Sequence, residues 1–139
     1  MKPAVFFDSD VLIDVFAKRM PFFDPSATLL SLAETGKFLG YTSPIVIANV
    51  YYVLQKFGGK LLSKSNVRKI RQILKIVDMN EKTVDMAIES EFLDFEDGLQ
   101  FSSILQAQLH YIVTRNIKNY KNNQIAVLSP TEALGFFSS

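Results

Sequence analysis

Residues 4–10 of the chain read Ala4-Val5-Phe6-Phe7-Asp8-Ser9-Asp10, an unbroken apolar run that ends in a carboxylate and leads into Val11, Leu12, Val15 and Phe16 at helical spacing. Four apolar residues in succession fit a short buried strand, and Asp8, Ser9 and Asp10 offer N-cap side chains for the helix behind it. In a parallel sheet the carboxyl ends of the strands line the ligand crevice. An acid at this point therefore has two candidate duties, capping a helix or projecting into a site. Outward from this segment, strand and helix patterns alternate to the end of the chain, which predicts an α/β domain with a mainly parallel sheet.

The spacing predicts a proline-bounded loop over Met20–Pro25, a helix over Pro25–Glu34 closed by Gly36, and a brief strand carrying Phe38, Leu39 and Tyr41. Thr42-Ser43-Pro44 reads as a helix start, Ile45–Phe57 as that helix, and Gly58-Gly59 as its stop. A basic amphipathic helix follows over Ser65–Leu74, then a strand over Lys75–Met79 and a helix over Glu81–Ser90. The helix after Asp94–Asp97 carries Leu99, Phe101, Ile104, Leu105, Ala107 and Leu109, too many apolar residues for one narrow stripe, so it should be substantially buried. Tyr111–Val113 and Ile125–Leu128 are strand candidates, and Pro130–Phe137 closes the chain as a short helix.

A length of 139 residues suits one domain, with roughly 70% of the unfolded surface buried on folding. No cysteine is present, which excludes disulfides and thiolate metal sites and agrees with a reducing compartment. The longest nearly apolar stretch, Pro44–Leu54, contains Asn49 and is too short to span a bilayer, and Asp8 interrupts any signal-like core. The expectation is a soluble, unprocessed cytoplasmic protein without a membrane partner. A net charge of +1 conceals a basic run, Lys60 to Lys75, beside an acidic one, Asp78 to Asp97. Such runs are most often solvated helix faces; functionally, the basic one would draw phosphates toward an acidic pocket.

Familiar catalytic signatures are missing. The single histidine, His110, stands ahead of an apolar strand, a packing or surface position more often than a catalytic one. No nucleophile elbow, Walker loop or dinucleotide fingerprint occurs. Acid and amide oxygens remain, and these suit hard Mg²⁺ or Mn²⁺ ions. Besides Asp8, the acids gather at Asp94-Phe95-Glu96-Asp97, where three carboxylates in four residues exceed what a helix cap needs and should titrate high unless a cation lies near. The third place is Ile112-Val113-Thr114-Arg115-Asn116, followed by Lys118, Asn119 and Tyr120, where a strand again ends in groups able to bind phosphate.

Taken together, Phe7–Asp14, Asp94–Gln100 and Val113–Tyr120 resemble the PIN-domain family, in the right order and over nearly the whole chain, with an aliphatic helix around Asn49 between the first two. The resemblance implies a single PIN-like domain over residues 1–139, a three-layer α/β/α sandwich with a mainly parallel central sheet. It also implies a metal-dependent nuclease site of three or four acids, RNA as substrate, and an antitoxin protein as partner, since many small bacterial members are ribonuclease toxins. Asp8 matches the first family acid and Asp97 the acid that opens the later helix, so these two are the expected Mg²⁺ or Mn²⁺ ligands. Asn49 stands where many members carry a glutamate, and Asn116 and Asn119 stand where an aspartate commonly follows the threonine-arginine pair. They join Asp8 and Asp97 as candidate catalytic residues, and Ser9, Thr114 and Arg115 are the candidate substrate contacts. Replacing a ligand carboxylate by an amide removes a gross attraction of roughly 4 kcal/mol per unit of metal charge at 4 Å and an effective dielectric of 20. Weaker metal binding is expected, unless Asp10, Asp94 or Glu96 turns inward.

The leading expectation is an Mg²⁺- or Mn²⁺-dependent endoribonuclease, the toxin of a toxin–antitoxin pair. The amides keep a second class open, a PIN-like RNA- or protein-binding module with weakened or lost catalysis. Four aromatics taken as exposed, Phe22, Phe23, Phe136 and Phe137, suggest a dimerisation surface and hence a homodimer.

Overall fold

In the computed structural model, which describes residues 2–138, the chain alternates strands and helices in the order β1 (Ala4–Phe7), α1 (Ser9–Phe16), α2 (Phe23–Glu34), β2 (Leu39–Thr42), α3 (Pro44–Ile73), β3 (Lys75–Ile76), α4 (Glu81–Glu89), α5 (Phe95–Gln106), β4 (Tyr111–Val113), a 3-10 helix (Ile117–Tyr120), β5 (Ala126–Leu128) and α6 (Pro130–Phe137). All strand pairs are parallel, and the sheet order is β3-β2-β1-β4-β5. Successive strand residues point to opposite faces, yet Val5, Phe6 and Phe7 are all fully buried, so helices cover both sides of the central strand. The result is the expected three-layer α/β/α sandwich. No helix among the described residues is long and apolar enough to cross a membrane.

The strand order has one consequence for function. From β1 the chain builds outward through β2 and β3, then crosses back to lay β4 on the opposite side of β1, so the order reverses between β1 and β4. Such a reversal opens a crevice at the carboxyl ends of the two strands. Phe6 pairs with Ile112 and Phe7 with Val113, and the Asp8 backbone N–H donates to Val113 O at 3.0 Å, so Asp8 and Thr114 leave the sheet side by side. At the other end His110 Nδ1 accepts from the Ala4 N–H at 2.9 Å, a structural duty for the lone histidine.

The long α3 corrects the expected stop at Gly58-Gly59 and restart at Ser65. Gly58 is still helical; Gly59 alone leaves helical geometry, at φ 81° and ψ 176°, and the chain is helical again from Lys60. The Ser63 hydroxyl donates to Tyr51 O at 2.6 Å, whereas twelve residues of straight helix would separate them by about 18 Å. The two arms, 44–58 and 60–73, therefore fold back on each other through a residue that has no Cβ to oppose a positive φ. Four boundaries also move: α2 begins at Phe23 with Asp24 and Pro25 in its first turn, β3 ends at Ile76, and Phe38 and Ile125 lie outside the strands. Proline in a first helical turn removes no intrahelical bond, which is why Pro25 does not delay the start. As expected, α5 is deeply embedded, with Phe101 and Ile104 buried beside the polar Gln100, Ser102 and Ser103.

The four aromatics divide. Phe137 packs against Phe38 at 5.0 Å between ring centroids and joins the core margin, Phe23 is half-buried, and Phe22 lies under the Arg115 guanidinium at 3.9 Å. Phe136 is the one left mostly exposed, at 59%. Other exposed apolar side chains include Leu93 between α4 and α5 and the group Tyr52, Phe57, Leu61 and Leu62 around the turn of α3.

A Cβ at Gly40, in the middle of β2, would meet Leu74 Cδ2 at 2.5 Å and Ala33 Cβ at 3.1 Å, both inside the core. Gly40→Ala is expected to lower stability by about 1–3 kcal/mol in urea unfolding, since neither neighbour has room to retreat.

Candidate active site

Asp8 performs both of its candidate duties. Its Oδ1 accepts the Ser9 backbone N–H at 2.8 Å and so caps α1. The same carboxylate, 8% exposed, accepts the Thr114 hydroxyl on Oδ2 at 2.8 Å and the Gln100 amide on Oδ1 at 3.4 Å. Three elements thus converge on it: the end of β1, the end of β4 and the buried face of α5. Gln100 is itself anchored, because its Oε1 takes a short hydrogen bond from the Ser43 hydroxyl that caps α3.

The second acid, Asp97, opens α5 within the cap that Asp94 makes by accepting the Asp97 N–H at 3.0 Å. Asp97 Oδ1 accepts the Tyr120 hydroxyl at 3.2 Å, and Tyr120 and the nearby Asn119 both favour its ionised form. Burial, then the charges of Asp8 and Asp97, push the Tyr120 phenol up, so it stays a donor.

Electrostatics ties the acids together. Burial, followed by the charge of Asp10 and more weakly that of Asp97, pushes the Asp8 carboxyl up to about 6 despite bonds from Thr114 and Ser9 that favour its ionised form. Asp97 is raised by burial and by Asp94, and Asp10 is raised by burial even though its Oδ2 accepts the Arg115 N–H at 3.0 Å. Every resolved shift among these acids runs upward, with burial the first cause in each and neighbouring acids adding to it.

Among the described residues no three His, Cys, Asp or Glu side chains gather as a metal-holding group. The donor set nevertheless suits a hard divalent ion. It is made of oxygens, two carboxylates meet the common requirement for Mg²⁺ when water and substrate phosphate complete the shell, and Asp10 Oδ1 is buried without any hydrogen-bond partner.

The remaining candidates take varied places. Thr114 is fully buried and orients Asp8, and its Oγ1 also accepts the Asn116 N–H at 2.9 Å, leaving the Asn116 side chain exposed. The Ser9 hydroxyl is buried and unpartnered. Asn49 Nδ2 donates to Glu96 Oε1 at 3.3 Å, so it bridges α3 to an exposed acid at the start of α5. Arg115, a candidate substrate contact, lies on α1, with Nε 2.6 Å from Asp14 Oδ2 and a terminal nitrogen 3.1 Å from Oδ1. Asp14 is completely buried, and a forked guanidinium is the partner that matches both of its oxygens. Neither Glu96 nor Asp94 turns inward.

Gln100, Tyr120, Ser43 and Asp14 were given no site role from the sequence. Asp14 and Gln100 carried a signal, a polar side chain on an otherwise apolar helical face; Ser43 had its place in a capping motif, and Tyr120 its place after the Thr114-Arg115 strand end.

A family model for the PIN domain matches residues 4–118 of the chain. Ribonuclease VapC1 of Aquifex aeolicus strain VF5 is 30% identical over 133 residues, covering 92% of this chain and 91% of that protein. Among solved structures, VapBC2 of Rickettsia felis bound to a DNA fragment from its promoter superimposes with a TM-score of 0.72 at 20% identity, over 91% of this chain and 98% of that one. A toxin–antitoxin complex from Klebsiella pneumoniae superimposes with a TM-score of 0.70 at 19% identity, over 91% and 97% of the two chains.

Arg115→Ala leaves Asp14 buried with only Arg19, at 3.9 Å, nearby, and is expected to cost about 3–5 kcal/mol in urea unfolding. Asp14→Leu combined with Arg115→Met should recover most of that loss; a single-variant loss below about 1 kcal/mol would remove the clamp from the account. The raised Asp8 carboxyl predicts a pH effect of definite sign. In chelator, its contribution to stability is fully present below about pH 4, declines as pH rises and is lost above about 6, because the fold favours the protonated form. Asp8→Asn should therefore gain thermal stability over wild type across that window and hold the gain at higher pH, while added Mn²⁺ should stabilise wild type alone.

Proposed function

The chain belongs to the PIN domain family, and from that premise we propose that it is a divalent-metal-dependent endoribonuclease, the toxin partner of an antitoxin protein, acting in the cytoplasm. The observation that carries the proposal is the state of Asp8: a buried carboxylate at the β1/β4 crevice, held by the neutral donors of Thr114, Gln100 and Ser9 and crowded by further acids. A structural carboxylate so placed would be matched by a cation of the protein, as Asp14 is by Arg115. The ribonuclease name of the Aquifex relative supports the same reading, and the toxin–antitoxin complexes among the structural neighbours support a protein partner.

Asp8 and Asp97 would hold Mg²⁺ or Mn²⁺, with Asn119 at the edge of the set. The ion supplies Lewis acidity at a phosphate oxygen and a water of lowered pKa. The protein's own residues do the positioning. Thr114 and the Ser43–Gln100 pair fix Asp8 from two sides, and Tyr120 fixes Asp97. The exposed amides of Asn116 and Asn119 offer hydrogen bonds to substrate oxygens. Arg115 acts at one remove, tying the strand end that carries Thr114 to α1 through Asp14. The exposed apolar residues at the turn of α3, with Leu61 at 88% exposure, give a protein partner or a second copy of the chain an apolar face to cover.

Purified protein with Mn²⁺ is expected to cleave single-stranded RNA from a broad panel, and chelator to abolish cleavage. Asp8→Asn and Asp97→Asn should each slow it by about 100-fold or more, since even outer partners of metal ligands commonly cost 10–100-fold. RNA binding that survives chelator with no turnover at any Mn²⁺ concentration would instead identify a non-catalytic RNA-binding module, the reading that the amides at Asn49, Asn116 and Asn119 favour.

A further inference from the structure

Beside Asp97 a cleft of about 620 Å³ opens between the segment that joins α4 to α5 and the loop that follows the 3-10 helix. It shares Asp97 and Asn119 with the acidic site, but nothing proposed so far uses the rest of it. Its volume lies within the range of small-ligand sites, about 300–1,000 Å³. Its floor is aromatic: Phe92, half-buried, leans on Phe101 at 5.0 Å and on Tyr120 at 6.2 Å between ring centroids. One wall carries Lys118 and Lys121, both exposed and, among the described residues, in no ion pair, together with the exposed amide of Asn123. The opposite wall carries the acids Glu91 and Asp94.

The wall is built before any ligand arrives. Asn122 Oδ1 accepts the N–H groups of Gln124 and Ile125 at 2.6 Å each, and its Nδ2 donates to Tyr120 O at 2.7 Å and Ile125 O at 3.1 Å. With Asn122 spent on the loop itself, the neighbouring Asn123 and the two lysines are presented on a fixed frame.

We infer that this cleft is a nucleoside subsite of the acidic site, taking one unstacked base of a single-stranded RNA beside the phosphate that reaches Asp8 and Asp97. The inference rests on the ribonuclease reading and adds to it the place where a base next to that phosphate is held. An aromatic face for a base, amides for its polar edge and lysines for its flanking phosphates are the combination by which single strands are held. The two walls give the strand a direction. Phosphates are repelled from Glu91 and Asp94 and drawn to Lys118 and Lys121, which leaves the carboxylates to accept from exocyclic amino groups. A base that is paired within a duplex is already stacked and cannot enter.

Fluorescence anisotropy with labelled single-stranded decaribonucleotides of random sequence, in chelator, tests the subsite, alongside Mn²⁺-dependent cleavage of the same RNA. Phe92→Ala is expected to weaken binding about 5- to 100-fold, and Phe92→Tyr to hold it within about 2-fold, since stacking is what the ring provides. The Lys118→Ala/Lys121→Ala double variant, altered only at exposed positions, should bind more weakly and lower the slope of log affinity against log salt by about 1.4. A fully paired RNA of equal length should bind wild type at least about tenfold more weakly. Cleavage by wild type, with Phe92→Ala and the lysine variant binding as wild type does, would overturn the subsite and leave the ribonuclease intact. Binding that depends on Phe92 and the lysines without any cleavage would overturn the ribonuclease and leave an RNA subsite. Neither binding nor cleavage would overturn both, and if Phe92→Ala fails to fold, the lysine variant decides.

Discussion

A carboxylate buried at the end of the central strand is the constraint around which this molecule is arranged. Asp8 must sit where β1 leaves the sheet, because Ala4–Phe7 are buried on both faces and the ladder to β4 runs up to its own backbone N–H. Burial there penalises the ionised form, and the fold answers with three hydrogen bonds from neutral donors. Each donor belongs to a different element, so the carboxylate also records whether α1, α5 and β4 are correctly assembled around the crevice.

The contrast with Asp14 separates two ways in which a buried aspartate at the start and within α1 is satisfied. Both aspartates are buried, six residues apart in sequence. Asp14 is met by a forked guanidinium at hydrogen-bonding distance, stacked in turn over Phe22, and its charge is neutralised inside the protein. Among the described residues Asp8 meets no cation. Its nearest charged company is acidic, and its carboxyl is held well above the ordinary range. A buried charge left unneutralised is costly; its persistence at the mouth of a crevice is what an external cation would explain. The Asp14–Arg115 pair then serves the same site indirectly, because Arg115 adjoins Thr114 in the chain and pins the strand end that delivers it.

Much of this was legible in residue order. The apolar run before Asp8, the caps offered by Asp8 and Ser43, and the proline starts at Pro44 and Pro130 act over a few residues, and local chemistry suffices to read them. The pairing of Asp8 with Asp97 and with Thr114 came from resemblance over three separated segments, and the structure places these residues around one crevice. Less was legible where a side chain has two chemically equivalent uses. Arg115 suits a phosphate as well as it suits a carboxylate, and only the depth of Asp14 chooses between them. Gly58-Gly59 signalled a break, but whether the chain pauses or doubles back depends on what the second arm packs against. The four aromatics were alike in sequence and differ in their neighbours.

By itself, then, the sequence determined the alternation of strand and helix, the buried central strand and the acids at its end, because hydrophobic periodicity and capping are properties of near neighbours in the chain. The tertiary structure alone decided which polar residue meets which. Gln100 reaches Asp8 across 92 positions, Thr114 across 106, and Arg115 reaches Asp14 across 101. Those contacts exist only because the strand order reverses between β1 and β4, and it is they that leave one buried aspartate paired with a guanidinium and the other held by neutral donors.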